Sequence, residues 1–271
     1  MIAKLWNLVG SDQGPRLVYT LMEARALVEP LSLGLMAPMI SARPKGDGHP
    51  VLVLPGFTAG DGETYLLRQF LKSHNYRVYA WKMGRNVGPM VGLEKRISEK
   101  VRALADEHGT PVTLIGWSLG GLFARSVAHQ MPELVRSVIS LGSPLGVGRG
   151  GRDISPLITL LGSRVVASEF LAMIDDKSLS DWNHTPPVPT TAIYSQTDGA
   201  AHWGSTCDPL EHARSENVRV PGSHCGLTHN AFVYSVLADR LAQPEGDWQP
   251  FSYLGISSLY YRLFEPFKGI C

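Results

Sequence analysis

The sequence predicts an α/β architecture, a mostly parallel central sheet flanked by helices. Three observations point to it. Short apolar runs rich in β-branched residues recur along the chain, longer stretches of helical periodicity separate several of them, and glycine or proline punctuates the boundaries. Parallel strands need crossover connections of a dozen residues or more, and this spacing supplies them.

In chain order the strand-like runs are Val51–Leu54, Arg77–Trp81, Val112–Ile115, Val138–Leu141, Thr191–Tyr194 and Val218–Val220. The clearest helix runs from Leu93 to His108, where Leu93, Ile97, Val101 and Leu104 repeat at helical spacing and Gly109 stands where a C-terminal cap belongs. Two more run from about Ser118 to Gln130, stopped by Pro132, and from about His229 to Leu241, stopped before Pro244.

The chain has 271 residues, enough for one domain that buries roughly 70–75% of its unfolded surface. Residues 1–271 are therefore read as a single domain. It carries an N-terminal helical arm over 1–49, a cap or lid insertion over 144–189 and an aromatic C-terminal arm over 246–271. The insertion opens on glycines, closes on Pro186, Pro187 and Pro189, and holds two short apolar segments, Ile154–Leu161 and Ser168–Ile174. The tail concentrates Trp248, Phe251, Tyr253, Tyr260, Tyr261, Phe264 and Phe267. That tail and Ala24–Met39 fit a peripheral membrane contact, beside the plainer reading of segments packed on the domain.

Lysine plus arginine (25) nearly balances aspartate plus glutamate (24), which argues against nucleic acid as a partner. Three widely spaced cysteines, Cys207, Cys225 and Cys271, indicate neither a disulfide framework nor a zinc site. With no signal-peptide pattern at the start, the expectation is a reducing, cytoplasmic setting.

The chemistry is concentrated at Gly116-Trp117-Ser118-Leu119-Gly120-Gly121, which directly follows one strand and opens a helix. This G-x-S-x-G pattern places a serine on a sharp, strained turn, with glycines two residues to either side where side chains would collide. A serine hydroxyl needs a histidine base oriented by a carboxylate, in the chain order serine, acid, histidine. Asp198 follows the fifth strand in Ser-Gln-Thr-Asp-Gly and is the candidate acid, with Asp175 and Asp176 as weaker rivals inside the insertion. His224, in Pro-Gly-Ser-His-Cys-Gly after the last strand, is favoured as base over His229, which would cap the next helix or face solvent. Cys225 reads as a buried structural thiol, and His202 as a pocket wall or surface residue.

Acyl transfer also needs two N–H donors for the developing oxyanion. Leu119, directly after the serine, supplies one; Phe57, beside Gly56 in the loop after the first strand, is the candidate for the other, with Thr58 as a substitute. No cofactor or metal is implied.

These residues resemble the α/β-hydrolase superfamily, and within it small bacterial serine lipases and carboxylesterases. The resemblance spans about Pro50 to Leu241. It is carried by Val-Leu-Val-Leu-Pro-Gly-Phe, by Gly-Trp-Ser-Leu-Gly-Gly, and by the stretch in which Ile193-Tyr194-Ser195 leads to Asp198 and Gly222-Ser223-His224 leads to Gly226-Leu227. It departs from many lipases in having Pro55-Gly56 where they have histidine-glycine. The resemblance implies the α/β-hydrolase fold with a helical cap, and a serine esterase or lipase acting on a small-molecule acyl ester or lipid through Ser118, His224 and Asp198. It also implies an acyl pocket lined partly by the insertion, Leu157 and Phe170 among it, with Trp117, Trp203 and Thr58 as further wall candidates. Arg85-Asn86 reads as a solvated loop pair that could reach the pocket rim. Acyl transfer or amide cleavage by the same three residues, and a non-catalytic lipid-binding protein on this fold, are the alternatives.

Overall fold

The computed structural model describes residues 17–88, 92–145 and 184–252. Among these residues six strands form one sheet: β1 (Pro50–Leu54), β2 (Arg77–Ala80), β3 (Val112–Trp117), β4 (Val135–Leu141), β5 (Thr190–Tyr194) and β6 (Ser215–Arg219). Their order is β2-β1-β3-β4-β5-β6, and every adjacent pair is parallel. Every residue of β1, β3 and β5 is buried, as expected of strands covered on both faces, whereas the edge strands β2 and β6 are mostly half-exposed.

Alternation sorts the strand residues onto two faces. Val51, Val53, Ile115, Ile139 and Ile193 join one core with α3 (Tyr65–Ser73) and α6 (Ala231–Leu241). Leu52, Leu54, Leu114, Val138 and Ala192 join the other, with α4 (Leu93–His108) and α5 (Leu119–Gln130). Helix α4 has the expected bounds; Leu93, Ile97, Val101 and Leu104 are buried, and Gly109 closes it at φ 62°.

Helix α6 begins two residues later than expected. His229 ends a 3₁₀ turn, Cys225–His229, and the Asn230 side chain accepts hydrogen bonds from the N–H groups of Phe232 and Val233. Asparagine is a strong N-cap because its short side chain reaches those orphan donors; that sets the boundary.

The register fixes where the loops emerge. Leu54 pairs with Gly116, Trp117 with Leu141, Leu141 with Ile193, and Tyr194 with Arg219. The loops after β1, β3, β4, β5 and β6 therefore leave along one carboxyl edge. The chain turns in opposite directions from β1 and β3, which opens a crevice between their loops, the usual ligand position in such sheets.

The described part of the N-terminal arm is helical: α1 (Leu17–Leu21), a 3₁₀ turn (Met22–Leu27) and α2 (Leu31–Ser41). Its outer side exposes Leu21, Leu27, Leu31 and Leu35. Among the described residues no helix is long and apolar enough to cross a membrane. Residues 146–183, with both expected cap segments, Leu157, Phe170, Asp175 and Asp176, lie outside the described residues, as does the tail from Tyr253 to Cys271. Of the tail's aromatics, Phe251 is buried beside the Arg240 guanidinium.

Candidate active site

Ser118 stands between β3 and α5 at φ 51°, ψ −122°, a strained conformation for a residue with a side chain. Its N–H donates to the Leu141 carbonyl at 2.9 Å, which ties the turn to the end of β4. The flanking glycines are there for close approach. A Cβ on Gly116 would lie 2.3 Å from Gly121 N, and one on Gly120 would lie 2.3 Å from the Leu54 carbonyl oxygen. Leu119 is the first residue of α5, so its N–H has no acceptor within the helix and lies at the positive end of the helix dipole.

The loop after β1 comes against this turn: a Cβ on Gly56 would sit 3.1 Å from Ser118 Cβ. Asn86 holds the loop there. Its Nδ2 donates to the Pro55 carbonyl at 2.8 Å, its backbone N–H donates to Ala59 at 2.7 Å, and its carbonyl accepts from Thr58 N at 2.6 Å. Asn86 is buried at 1% exposure, which corrects its reading as a solvated loop residue. Its side chain is buried because it satisfies a backbone carbonyl that would otherwise be an orphan. Thr58 is exposed and at φ 61°, with its N–H committed to Asn86; Phe57 is half-buried against the core that contains Leu52 and Leu54.

The carboxylate and imidazole come from the next two loops. Asp198 is buried, and its Oδ1 accepts from Ala200 N and Ala201 N, both at 2.8 Å. Its Oδ2 lies 2.7 Å from Nδ1 of His224, also buried. With Nδ1 donating to the carboxylate, Nε2 is the nitrogen left as an acceptor. Burial alone would lower the His224 pKa, but the charge and hydrogen bond of Asp198, with the Glu23 carboxylate, outweigh it and hold the ring above its usual range.

Two contacts place this pair beside the Ser118 turn. Trp117 Nε1 donates to the His224 carbonyl at 3.1 Å. Gly142, at φ 57°, fits so tightly behind the pair that a Cβ would lie 3.1 Å from Asp198 Oδ2 and 3.2 Å from His224 Nδ1. Among the described residues Ser118 Oγ makes no hydrogen bond to His224. Such bonds are often long before substrate binds.

Other expectations fare differently. Trp117, expected as a pocket wall, is buried and braces the His224 loop from beneath. Trp203 is half-buried and stacks on Tyr194, with ring centroids 6.2 Å apart. His229 neither caps α6 nor lies free in solvent; its Nε2 bonds the Ala26 carbonyl at 2.9 Å. Cys225 is free and exposed rather than buried, because it opens the 3₁₀ turn after His224. Cys207 is disulfide-bonded, against the expectation of no disulfide. No group of side chains suited to a metal ion occurs among the described residues.

The sequence reading missed Gly142 and the arm residues Glu23, Arg25 and Glu29, and it named Asn86 without its role as a brace of the loop after β1. A glycine directly after a strand was the one available signal for Gly142. Nothing local in sequence marks the others.

Solved structures share this fold. Lipase B of Aspergillus fumigatus matches with a TM-score of 0.52 at 16% identity, over 76% of this chain and 56% of that one. The monoacylglycerol lipase of Paleococcus ferrophilus matches with a TM-score of 0.52 at 14% identity, over 73% and 96%. The fold is that of the α/β hydrolases. An α/β-hydrolase enzyme from a lagoon-sediment metagenome matches similarly, with a TM-score of 0.51 at 18% identity over 72% and 91%. The family model described as palmitoyl protein thioesterase matches residues 50–184. Two triacylglycerol lipases, from Pseudarthrobacter phenanthrenivorans and Burkholderia plantarii, are each 32% identical over 105 residues, which is 35% of this chain. The match spans about a third of the length of these relatives, 33% and 29% respectively.

Proposed function

We propose that this protein is a serine hydrolase of carboxylic acyl esters, an esterase or lipase. The observation that carries the reading is the buried 2.7 Å Asp198–His224 pair, on the same sheet edge as a serine held at φ 51° on a strand-to-helix turn. Ser118 Oγ attacks the ester carbonyl carbon while His224 Nε2 takes its proton, and Asp198 steadies the imidazolium that forms. The oxyanion is held by the N–H groups of Leu119 and Phe57. The tetrahedral intermediate collapses, His224 gives the proton to the leaving alkoxide, and an acyl-Ser118 ester remains. Water, deprotonated by His224, then attacks that ester and releases the acid, restoring the serine.

The similarity to the palmitoyl protein thioesterase model favours a second substrate class, acyl thioesters, for which the same steps release a thiol. The test is Ser118→Ala. Replacement should abolish hydrolysis of chromogenic acyl esters and labelling by a fluorophosphonate while leaving the protein folded; retained turnover in a folded variant refutes the reading. Rates on matched oxygen esters and thioesters, from acetyl to palmitoyl, then assign the leaving group and chain length.

A further inference from the structure

The N-terminal arm reaches the candidate active site through its polar side chains. Along Met22–Leu27 and just beyond it, Glu23, Arg25 and Glu29 turn inward, while Leu21, Leu27 and Leu31 face out. Glu23 Oε1 accepts from Gly199 N at 2.8 Å and from His224 N at 2.9 Å. Its other oxygen, Oε2, accepts from Cys225 N at 2.9 Å. One carboxylate thus holds the residue after Asp198 and also His224 itself.

Its neighbours fasten the same two loops. One Arg25 nitrogen, Nη2, donates to the Thr197 carbonyl at 2.8 Å, to Thr197 Oγ1 at 2.7 Å and to the Gly222 carbonyl at 2.8 Å. Glu29 Oε1 accepts from Ser223 N at 2.8 Å and from Arg25 Nε at 3.2 Å. Thr20 Oγ1 donates to the Gly199 carbonyl at 2.7 Å. The contact is close enough that a Cβ on Gly199 would lie 2.3 Å from the Tyr19 carbonyl oxygen.

We propose that Glu23 is a positioning residue of the active site, clamping the loop that carries Asp198 to the loop that carries His224. The inference rests on the assignment of those two residues as acid and base. Loops after different strands drift independently unless something spans them, and small misplacements of catalytic groups are expensive in rate. A carboxylate makes an effective clamp because it accepts several N–H bonds at once, and charge-assisted bonds are stronger than neutral ones. It also adds negative charge near the imidazole. Among the described residues the charged groups facing His224 are Asp198 from the β5 loop and Glu23 from the arm, and both favour the protonated ring. Arg25 and Glu29 pair with each other at 3.2 Å.

The experiment compares Glu23→Gln and Glu23→Ala with wild type, reading kcat and KM for a soluble acyl ester across pH, together with Tm. Glutamine keeps one acceptor oxygen for Gly199 and His224 but removes the charge. It should move the acid limb of kcat/KM to lower pH by roughly half a unit or more. Alanine removes every bond and should lower kcat about tenfold with little change in KM. A purely structural role would lower Tm and leave the acid limb in place, and that result overturns the proposal. Titration of the His224 ring by NMR gives a readout independent of activity. Its pKa should fall in Glu23→Gln even if no ester is turned over, so failure of the clamp and failure of the proposed reaction are told apart. Should the alanine variant not fold, the glutamine pH profile and the ring titration decide.

Discussion

Gly142→Ala tests the placement of Asp198 and His224, the proposed acid and base, most directly. Gly142 has φ 57°, and an L-residue in the left-handed region costs about 1–2 kcal/mol. The added methyl would also lie 2.7 Å from Leu227 Cδ1, 3.1 Å from Asp198 Oδ2 and 3.2 Å from His224 Nδ1. The leucine methyl can rotate away. The other two atoms form the 2.7 Å bond, and Asp198 is further fixed by Ala200 N and Ala201 N, so neither can retreat without loosening the pair. Overpacking of this kind costs about 1–3 kcal/mol, so the full loss is about 2–5 kcal/mol and the fall in Tm about 4–9 °C. Displacing the imidazole by a fraction of an ångström should lower kcat/KM by about 10- to 100-fold. The control is Gly109→Ala, at φ 62° with nothing within 4 Å of the new Cβ, which incurs the backbone strain alone. The assays are thermal unfolding and the initial rate of fluorophosphonate labelling. If Gly142→Ala matches Gly109→Ala in both, the pair is not packed against Gly142 and the geometry of the site is wrong.

Asp198→Asn should leave the fold intact yet lower kcat by about 10³- to 10⁴-fold, because an amide cannot stabilise the imidazolium and favours the wrong tautomer; steady-state rates on a soluble ester check this. The His224 pKa lies above the ordinary 6.5, so kcat/KM should rise with pH through that higher value as the neutral base forms. Stability runs the other way. The contribution of the protonated ring is complete below the unfolded value and fades as pH rises through the folded one, which Tm measured from about pH 5 to 9 should show as a difference between wild type and His224→Gln. Arg125 and Asp208 form an ion pair at 2.6 Å with both side chains fully buried. Arg125→Met alone should therefore cost about 3–5 kcal/mol in denaturant unfolding, more than Arg125→Met combined with Asp208→Asn; an equal or smaller loss for the single change would sink the argument.

Much of the fold could be read locally. The strand β1 is a continuous apolar run because both its faces are covered, β3 and β5 are equally buried with threonines among their apolar residues, and α4 shows its stripe because only one of its faces is covered. The Ser118 turn was legible because a steric rule writes itself into sequence: only glycine fits at 116 and 120, where backbone comes within 2.3 Å of the missing Cβ. The start of α6 was misjudged because an apolar run shows where a helix packs, while the side chain that caps it shows where it begins. The bracing role of Asn86 and the whole part played by Glu23 carried no local signal, since each acts on residues distant in sequence; Glu23 lies 176 positions from Gly199 and 201 from His224.

Chemical identity and chain order were thus set by the order of amino acids alone: which hydroxyl, which imidazole and which carboxylate, each after a strand, are available for the proposed reaction. Whether they meet depends on strand order and register, which bring five loop origins to one edge of the sheet. Folding alone decided that an arm preceding the first strand would fasten two of those loops. Backbone N–H groups such as those of Gly199 and His224 are present in every sequence, and only the folded chain determines which acceptor each one finds.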